Sequence, residues 1–210
     1  VGKGYSQRPG IDFSPDNVYA PVIKYVTLRI LLAIACMLNW EISVLDFVQA
    51  FLHRALKETI FMEAPRGSAD HKRGMVYRLL KPIYGLKQAA ANWNTRLIES
   101  LFIFGFIQSD WDDCLFILFH NGTPICFMGV YVDDCPTIWD PQHPTWERLK
   151  AHLKSNGFEF TEERELKKVL NMEVKRDRAN RKLTLTQTGY TQSLIDTFGM
   201  RECSTKPTPR

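Results

Sequence analysis

An apolar run from Ile125 to Val132 ends at two adjacent aspartates, Asp133 and Asp134. A short apolar stretch bounded by charge reads as a buried strand. Its end must reach a place where carboxylates can ionise, because like charges in an apolar setting repel and lose hydration unless cations hold them. Oxygen-only carboxylate ligands are what hard divalent ions such as Mg²⁺ prefer. Aspartate is equally at home at the start of a turn, so a metal site and a plain turn both remain open on this pattern alone.

Other acids fall at comparable places. Glu41 to Phe47 reads as a second buried strand with Asp46 near its end. Asp112-Asp113, with Asp110 close by, precedes the apolar run Cys114 to Phe119, and acids ahead of a strand are usually solvated or capping. Between these strands lie helical patterns. Thr27 is expected to cap a helix carrying Leu28, Leu31, Leu32 and Ala35, closed by Asn39. A turn at Tyr84-Gly85 leads to a helix with Trp93, Leu97, Leu101 and Phe104 on one stripe, ended by Gly105. Thr145 is expected to cap a third helix with Trp146, Leu149 and Leu153 inward, stopped by Asn156-Gly157. Lys182 to Gln187 alternates as a half-exposed strand, and a short helix through Leu194, Ile195 and Phe198 stops at Gly199. Strands and helices mixed without steady alternation predict an α+β fold over an antiparallel sheet.

With 210 residues, 45% of them hydrophobic, the chain can bury the core of one large domain, or of one domain with a small appendage. A net charge of +4 suits a polyanionic partner without deciding for one. The five cysteines, Cys36, Cys114, Cys126, Cys135 and Cys203, show no metal-ligand spacing, which argues against structural zinc and a disulfide framework and for a reducing, intracellular setting. The apolar stretch around Leu31 to Leu38 is too short to span a bilayer, and no secretory signal pattern opens the chain. Val1 rather than methionine stands first, so a longer parent polypeptide is expected. Ser204 to Arg210, broken by Pro207 and Pro209, reads as a short tail.

Several of these segments recur together in one known order. Tyr131-Val132-Asp133-Asp134 is similar to the Tyr-x-Asp-Asp signature of reverse transcriptases, and its valine is usual in the copia class of LTR retrotransposons. Leu45-Asp46-Phe47-Val48-Gln49-Ala50-Phe51-Leu52 resembles that class's Leu-Asp-Val-x-x-Ala-Phe-Leu. Tyr84-Gly85-Leu86-Lys87-Gln88, with Trp93 beyond, matches its Tyr-Gly-Leu-Lys-Gln segment. Lys3-Gly4-Tyr5-Ser6-Gln7, Tyr19-Ala20-Pro21-Val22, Trp40-Glu41-Ile42, Phe61 to Gly67 and Phe198-Gly199-Met200 match further segments, so the resemblance covers almost the whole chain.

The resemblance implies a right-hand polymerase: residues 1–203 as partial fingers and palm, with the start of a thumb or connection from about 157, and 204–210 as a tail. It implies RNA-directed DNA synthesis from dNTPs on a primed RNA or DNA template, with two Mg²⁺ ions, or Mn²⁺ in their place. Asp46 and Asp133 would bind both ions, Asp134 would assist, and the backbone carbonyl of Phe47 would complete a coordination shell. Phe51 would gate against a ribose 2′ hydroxyl, although a core aromatic is an equal reading. Gly85, Lys87 and Gln88 would lie under the nascent base pair, with a solvated helix-start lysine the alternative for Lys87. Tyr84 and Tyr131 would meet nucleic acid. The implied partners are the integrase and RNase H segments of a Pol polyprotein, with no membrane. The implied location is a cytoplasmic virus-like particle, with the nucleus as a second site.

The chain also departs from the family pattern. Ala89-Ala90 replaces the usual Ser-Pro, Arg54 a glycine and Asn171 another glycine, and Pro136 sits just past the acid pair. The family's Phe-x-Met-Lys-Asp-Leu-Gly reads Phe158 to Arg164 here, with Thr161 in the lysine's place. That removes a proposed acid for pyrophosphate and leaves open whether Lys167 or Lys168 replaces it. The basic residues that grip the triphosphate in the family would precede Val1. These changes keep a second reading open, an inactive or repurposed copy that only binds nucleic acid, beside a third, a plain structural fragment.

Overall fold

The computed structural model describes residues 2–53, 56–164 and 166–204. Arg54 and residues 205–210 of the expected tail lie outside the described residues. In chain order the elements are α1 (Tyr25–Leu38), β1 (Glu41–Phe47), β2 (Ile60–Glu63), α2 (Ala69–Lys72), β3 (Val76–Leu79), α3 (Ala89–Phe104), β4 (Ile107–Gln108), β5 (Leu115–His120), β6 (Thr123–Gly129) and β7 (Asp134–Trp139). They continue with α4 (Thr145–Ser155), β8 (Phe160–Glu163), β9 (Lys168–Val169), β10 (Met172–Asp177), β11 (Lys182–Thr186) and α5 (Thr188–Thr197). The fold is α+β. A six-stranded sheet runs β4-β5-β6-β7-β1-β8, a three-stranded sheet runs β11-β10-β9, and β2 pairs with β3. Every strand pairing among the described residues is antiparallel.

The main core forms around the centre of the larger sheet, where Leu45, Phe116, Cys126 and Met128 meet Leu97 and Leu101 of α3 and Leu149 and Leu153 of α4, all at 0% exposure. The helical stripe through Trp93, Leu97 and Leu101 is buried as expected, with Phe104 half-buried at its end. Asn39 closes α1 at φ 55° and Gly105 closes α3 at φ 111°, both in the left-handed region.

Two expected caps are displaced. The chain enters α1 at Lys24, and Thr27 lies inside the first turn, where its hydroxyl donates to Asp112 Oδ2 at 2.6 Å. The same carboxylate accepts from the Lys24 N–H at 3.0 Å, so a residue remote in sequence supplies the oxygen a helix start normally finds in its own cap. Asp112, 3% exposed, is therefore a structural cap, and Asp112-Asp113 is no rival metal site. Likewise, Thr145 is the first helical residue of α4, behind Pro144. The strand expected to run to Val132 ends as β6 at Gly129. Pro136 sits within β7 opposite Val44, and the β6–β7 pairing extends only as far as Thr137, since proline has no N–H to continue a ladder.

Candidate active site

β1 and β7 run side by side with Asp46 opposite Asp134. Because side chains alternate along a strand, Asp46 is exposed on one face while its neighbours Leu45 and Phe47 are buried, at 0% and 1% exposure. The chain reaches β7 through a tight reversal at Tyr131–Asp134, closed by Tyr131 N–H to the Asp134 carbonyl at 2.8 Å and Asp134 N–H to the Tyr131 carbonyl at 3.0 Å. Val132 occupies the first central position at φ 56°. A β-branched residue with positive φ is strained, by about 1–3 kcal/mol. Asp133 occupies the second central position, and its carbonyl accepts the Phe47 N–H at 3.0 Å. The ends of two strands thus set Asp46 and Asp134 opposite each other, with Asp133 next to them in the turn.

Electrostatics reports the same proximity. Burial, then the charges of Asp133, Asp46 and Glu163, push the Asp134 carboxyl above its usual range. Burial, then Asp133 and Asp46, push the Tyr84 phenol up. Asp46, Asp134 and Glu163 line a cavity of about 180 Å³ together with Thr161, Lys168 and the apolar Val44, Val169 and Leu170. The cavity lies between the large sheet and the β9–β10 turn, where Leu170 and Asn171 both adopt positive φ, 42° and 64°. Asn171 thus takes the left-handed conformation that asparagine tolerates. Thr161 pairs with Asp46 across β8.

The donor chemistry of these acids suits a hard divalent cation, and their mutual repulsion is what such an ion would relieve. Among the described residues, no three His, Cys, Asp or Glu side chains are grouped closely enough to hold a metal ion as they stand. The Asp133 side chain is not part of the cavity wall that Asp46 and Asp134 share.

The remaining expected site residues divide. Phe51, half-buried, sets its ring edge-on to Tyr84 with centroids 4.5 Å apart, which places it on the side of the acids that Tyr84 senses. Gly85 adopts φ 96°. Lys87 is exposed, with its ammonium 4.9 Å above the Phe13 ring. Gln88 is fully buried, and its amide is turned into the protein, donating to the Asp12 carbonyl at 3.0 Å and accepting from Gln7 Nε2 at 3.0 Å. Tyr131 is half-buried against the main core. Lys168, one of the two lysines left open as a stand-in for the family's lysine, lines the same cavity as Asp46 and Asp134, and Glu163 reaches it through the β1–β8 register, which local sequence does not give.

Comparison with known proteins adds the family. A family model described as reverse transcriptase (RNA-dependent DNA polymerase) matches residues 1–210. This chain belongs to the reverse transcriptase family. Over its full length it is 37% identical to the retrovirus-related Pol polyprotein from transposon RE2 of Arabidopsis thaliana and 32% identical to that from transposon TNT 1-94 of Nicotiana tabacum. It spans only 14% and 16% of those two polyproteins. A putative transposon Ty5-1 protein of Saccharomyces cerevisiae is 27% identical over 78% of the chain and 54% of its own length. The copia-type resemblance drawn from the motifs therefore holds over the whole chain. No helix among the described residues is long and apolar enough to cross a membrane.

Proposed function

We propose that this reverse transcriptase segment forms the palm and part of the fingers of an RNA-directed DNA polymerase, with a thumb or connection beginning near residue 157. In this reading it joins dNTPs to a primer 3′ hydroxyl on an RNA or DNA template. The observation that carries the proposal is the pairing of Asp46 with Asp134 on adjacent strands, with Asp133 in the turn between β6 and β7. Asp46, Asp133 and Asp134 would hold the divalent ions, with the Phe47 carbonyl as a further oxygen. When bound, such ions acidify the attacking hydroxyl and offset charge on the departing pyrophosphate.

The chain's own residues do the positioning. The β1–β7 ladder fixes the spacing of Asp46 and Asp134, and the Phe47 N–H holds the Asp133 carbonyl. Phe51, braced by Tyr84, limits the space beside the incoming sugar. Gly85 lets backbone approach the base pair, and Lys87 offers charge to a phosphate.

Primer extension on poly(rA)/oligo(dT), with the segment expressed together with flanking Pol sequence, tests the reading. Asp46→Asn and Asp133→Asn are each expected to lower the rate by on the order of 10²–10³, the usual cost of removing one preorganised electrostatic group. Extension equal to wild type in both variants would overturn it. Thr161, standing opposite Asp46 where the family has lysine, favours a second reading, a copy that binds primer–template without extending it. Salt-dependent binding with no extension by the wild-type protein selects that alternative.

A further inference from the structure

We infer that Trp93 is a positioning residue for the acid site, holding the turn that carries Asp133 in register with the strand end that carries Asp46. The inference rests on the polymerase reading above. Trp93 lies one turn into α3 and is 2% exposed. Its indole Nε1–H donates to the Val132 carbonyl at 2.7 Å. Its ring also packs edge-on against Phe47, the residue after Asp46, with centroids 5.0 Å apart, and against Phe158 at 5.7 Å. One side chain therefore touches the residue before Asp133 and the residue after Asp46.

The position of the bond gives it more than a core role. A buried indole needs an acceptor, but here the acceptor is the carbonyl of the one residue in the turn with positive φ, Val132 at 56°. The next carbonyl, that of Asp133, is held by the Phe47 N–H, so successive carbonyls of the turn are fixed from α3 and from β1. Strained backbone persists only where its surroundings over-determine it, and these two bonds supply that constraint. α3 also follows directly on Tyr84–Gln88, the segment proposed to lie under the nascent base pair. Trp93 thereby links that segment to the acids through one rigid helix turn.

The test replaces Trp93 by phenylalanine and, separately, by 3-benzothienylalanine, which keeps the bicyclic shape and lacks only the N–H. Both are made in the segment with flanking Pol sequence. Two readouts are taken: amide exchange at Asp134, whose N–H closes the turn, and primer extension at varied Mg²⁺. In the benzothienyl variant, exchange at Asp134 is expected to rise about tenfold while exchange at Phe116 in β5 stays unchanged. The maximal rate is expected to fall about tenfold, and the Mg²⁺ concentration for half-maximal rate to rise several-fold. KM for dTTP is expected to stay within about twofold. Unchanged exchange at Asp134, or a rate loss with no change in Mg²⁺ dependence, overturns the inference and leaves Trp93 a core residue. Absence of extension in the wild type counts against the polymerase reading instead, and the exchange result still decides the role of Trp93 in the turn.

Discussion

Asp134 is the acid on which burial and neighbouring charge act in the same direction. Its carboxyl is pushed up, first by burial and then by Asp133, Asp46 and Glu163, so the fold prefers the protonated form. Stability is therefore fullest below the ordinary value of 3.8 and is lost as pH rises through and above it. In metal-free buffer at neutral pH, Asp134→Asn is expected to raise Tm, because it removes a carboxylate that the fold penalises. Differential scanning calorimetry checks the effect, and the gain is expected to vanish in acid, where the wild-type carboxyl is already neutral. A gain of equal size at every pH would show that shape rather than charge is responsible. At this scale the sequence was informative about the acids themselves, since Asp46, Asp133 and Asp134 each end an apolar run. It offered Lys168 only as one of two stand-ins for the missing lysine and gave no place to Glu163, because where either sits depends on strand register. It gave no hint that the Gln88 side chain is held by Gln7 and Asp12 inside the protein.

Elements with a full periodic pattern were legible, and their ends were not. α1 and α3 follow from their apolar stripes, and β1 matches its expected span. The start of α1 was misread because its cap comes from Asp112, far along the chain, where local sequence gives no hint. This arrangement makes α1 depend on one carboxylate. Burial works to raise the Asp112 carboxyl, but the Thr27 hydroxyl and the N–H groups of Lys24 and Cys114 outweigh it, and the net shift is downward. A depressed folded value means that the stabilisation is present above the ordinary carboxylate value and is lost as pH falls through the folded one. Asp112→Ala leaves the Thr27 hydroxyl and two N–H groups without their acceptor, a cost of about 1–3 kcal/mol. Urea unfolding is expected to show that loss at pH 7 and a smaller difference from wild type in acid. An unchanged midpoint at pH 7 would remove Asp112 as the cap of α1.

For the molecule as a whole, composition and element order were enough for the α+β class, but the long-range contacts that assemble the site were beyond them. The clearest case is the N-terminal segment, which is tied to Tyr84–Gln88 across most of the intervening chain. The Gly2 N–H donates to the Tyr84 carbonyl at 2.6 Å, and Gln7 accepts the Lys87 N–H at 2.8 Å while donating to Gln88 at 3.0 Å. Gly4 packs so tightly that a Cβ there would sit 2.0 Å from the Gly85 carbonyl oxygen, a contact only glycine permits. Both segments matched family motifs, yet nothing in either motif says that they touch. Among the described residues the buried cluster nearby is small, Ile60, Leu86 and Ala89 with the partly buried Phe51, Leu56, Leu79 and Ile83 packed against it, and it is separate from the main core. The junction's hydrogen bonds therefore carry more of the local stability than they would in a packed core. Gln7→Ala removes the acceptor of the Lys87 N–H and one partner of the fully buried Gln88 amide, at a cost of about 1–3 kcal/mol. Because that cost falls on a local opening, amide exchange at Lys87 is expected to accelerate by about tenfold or more, with exchange in β6 and β7 unchanged. Acceleration spread evenly over the whole sheet would mean that the segment belongs to the global folding unit and does not act as a strap on the Tyr84–Gln88 turn.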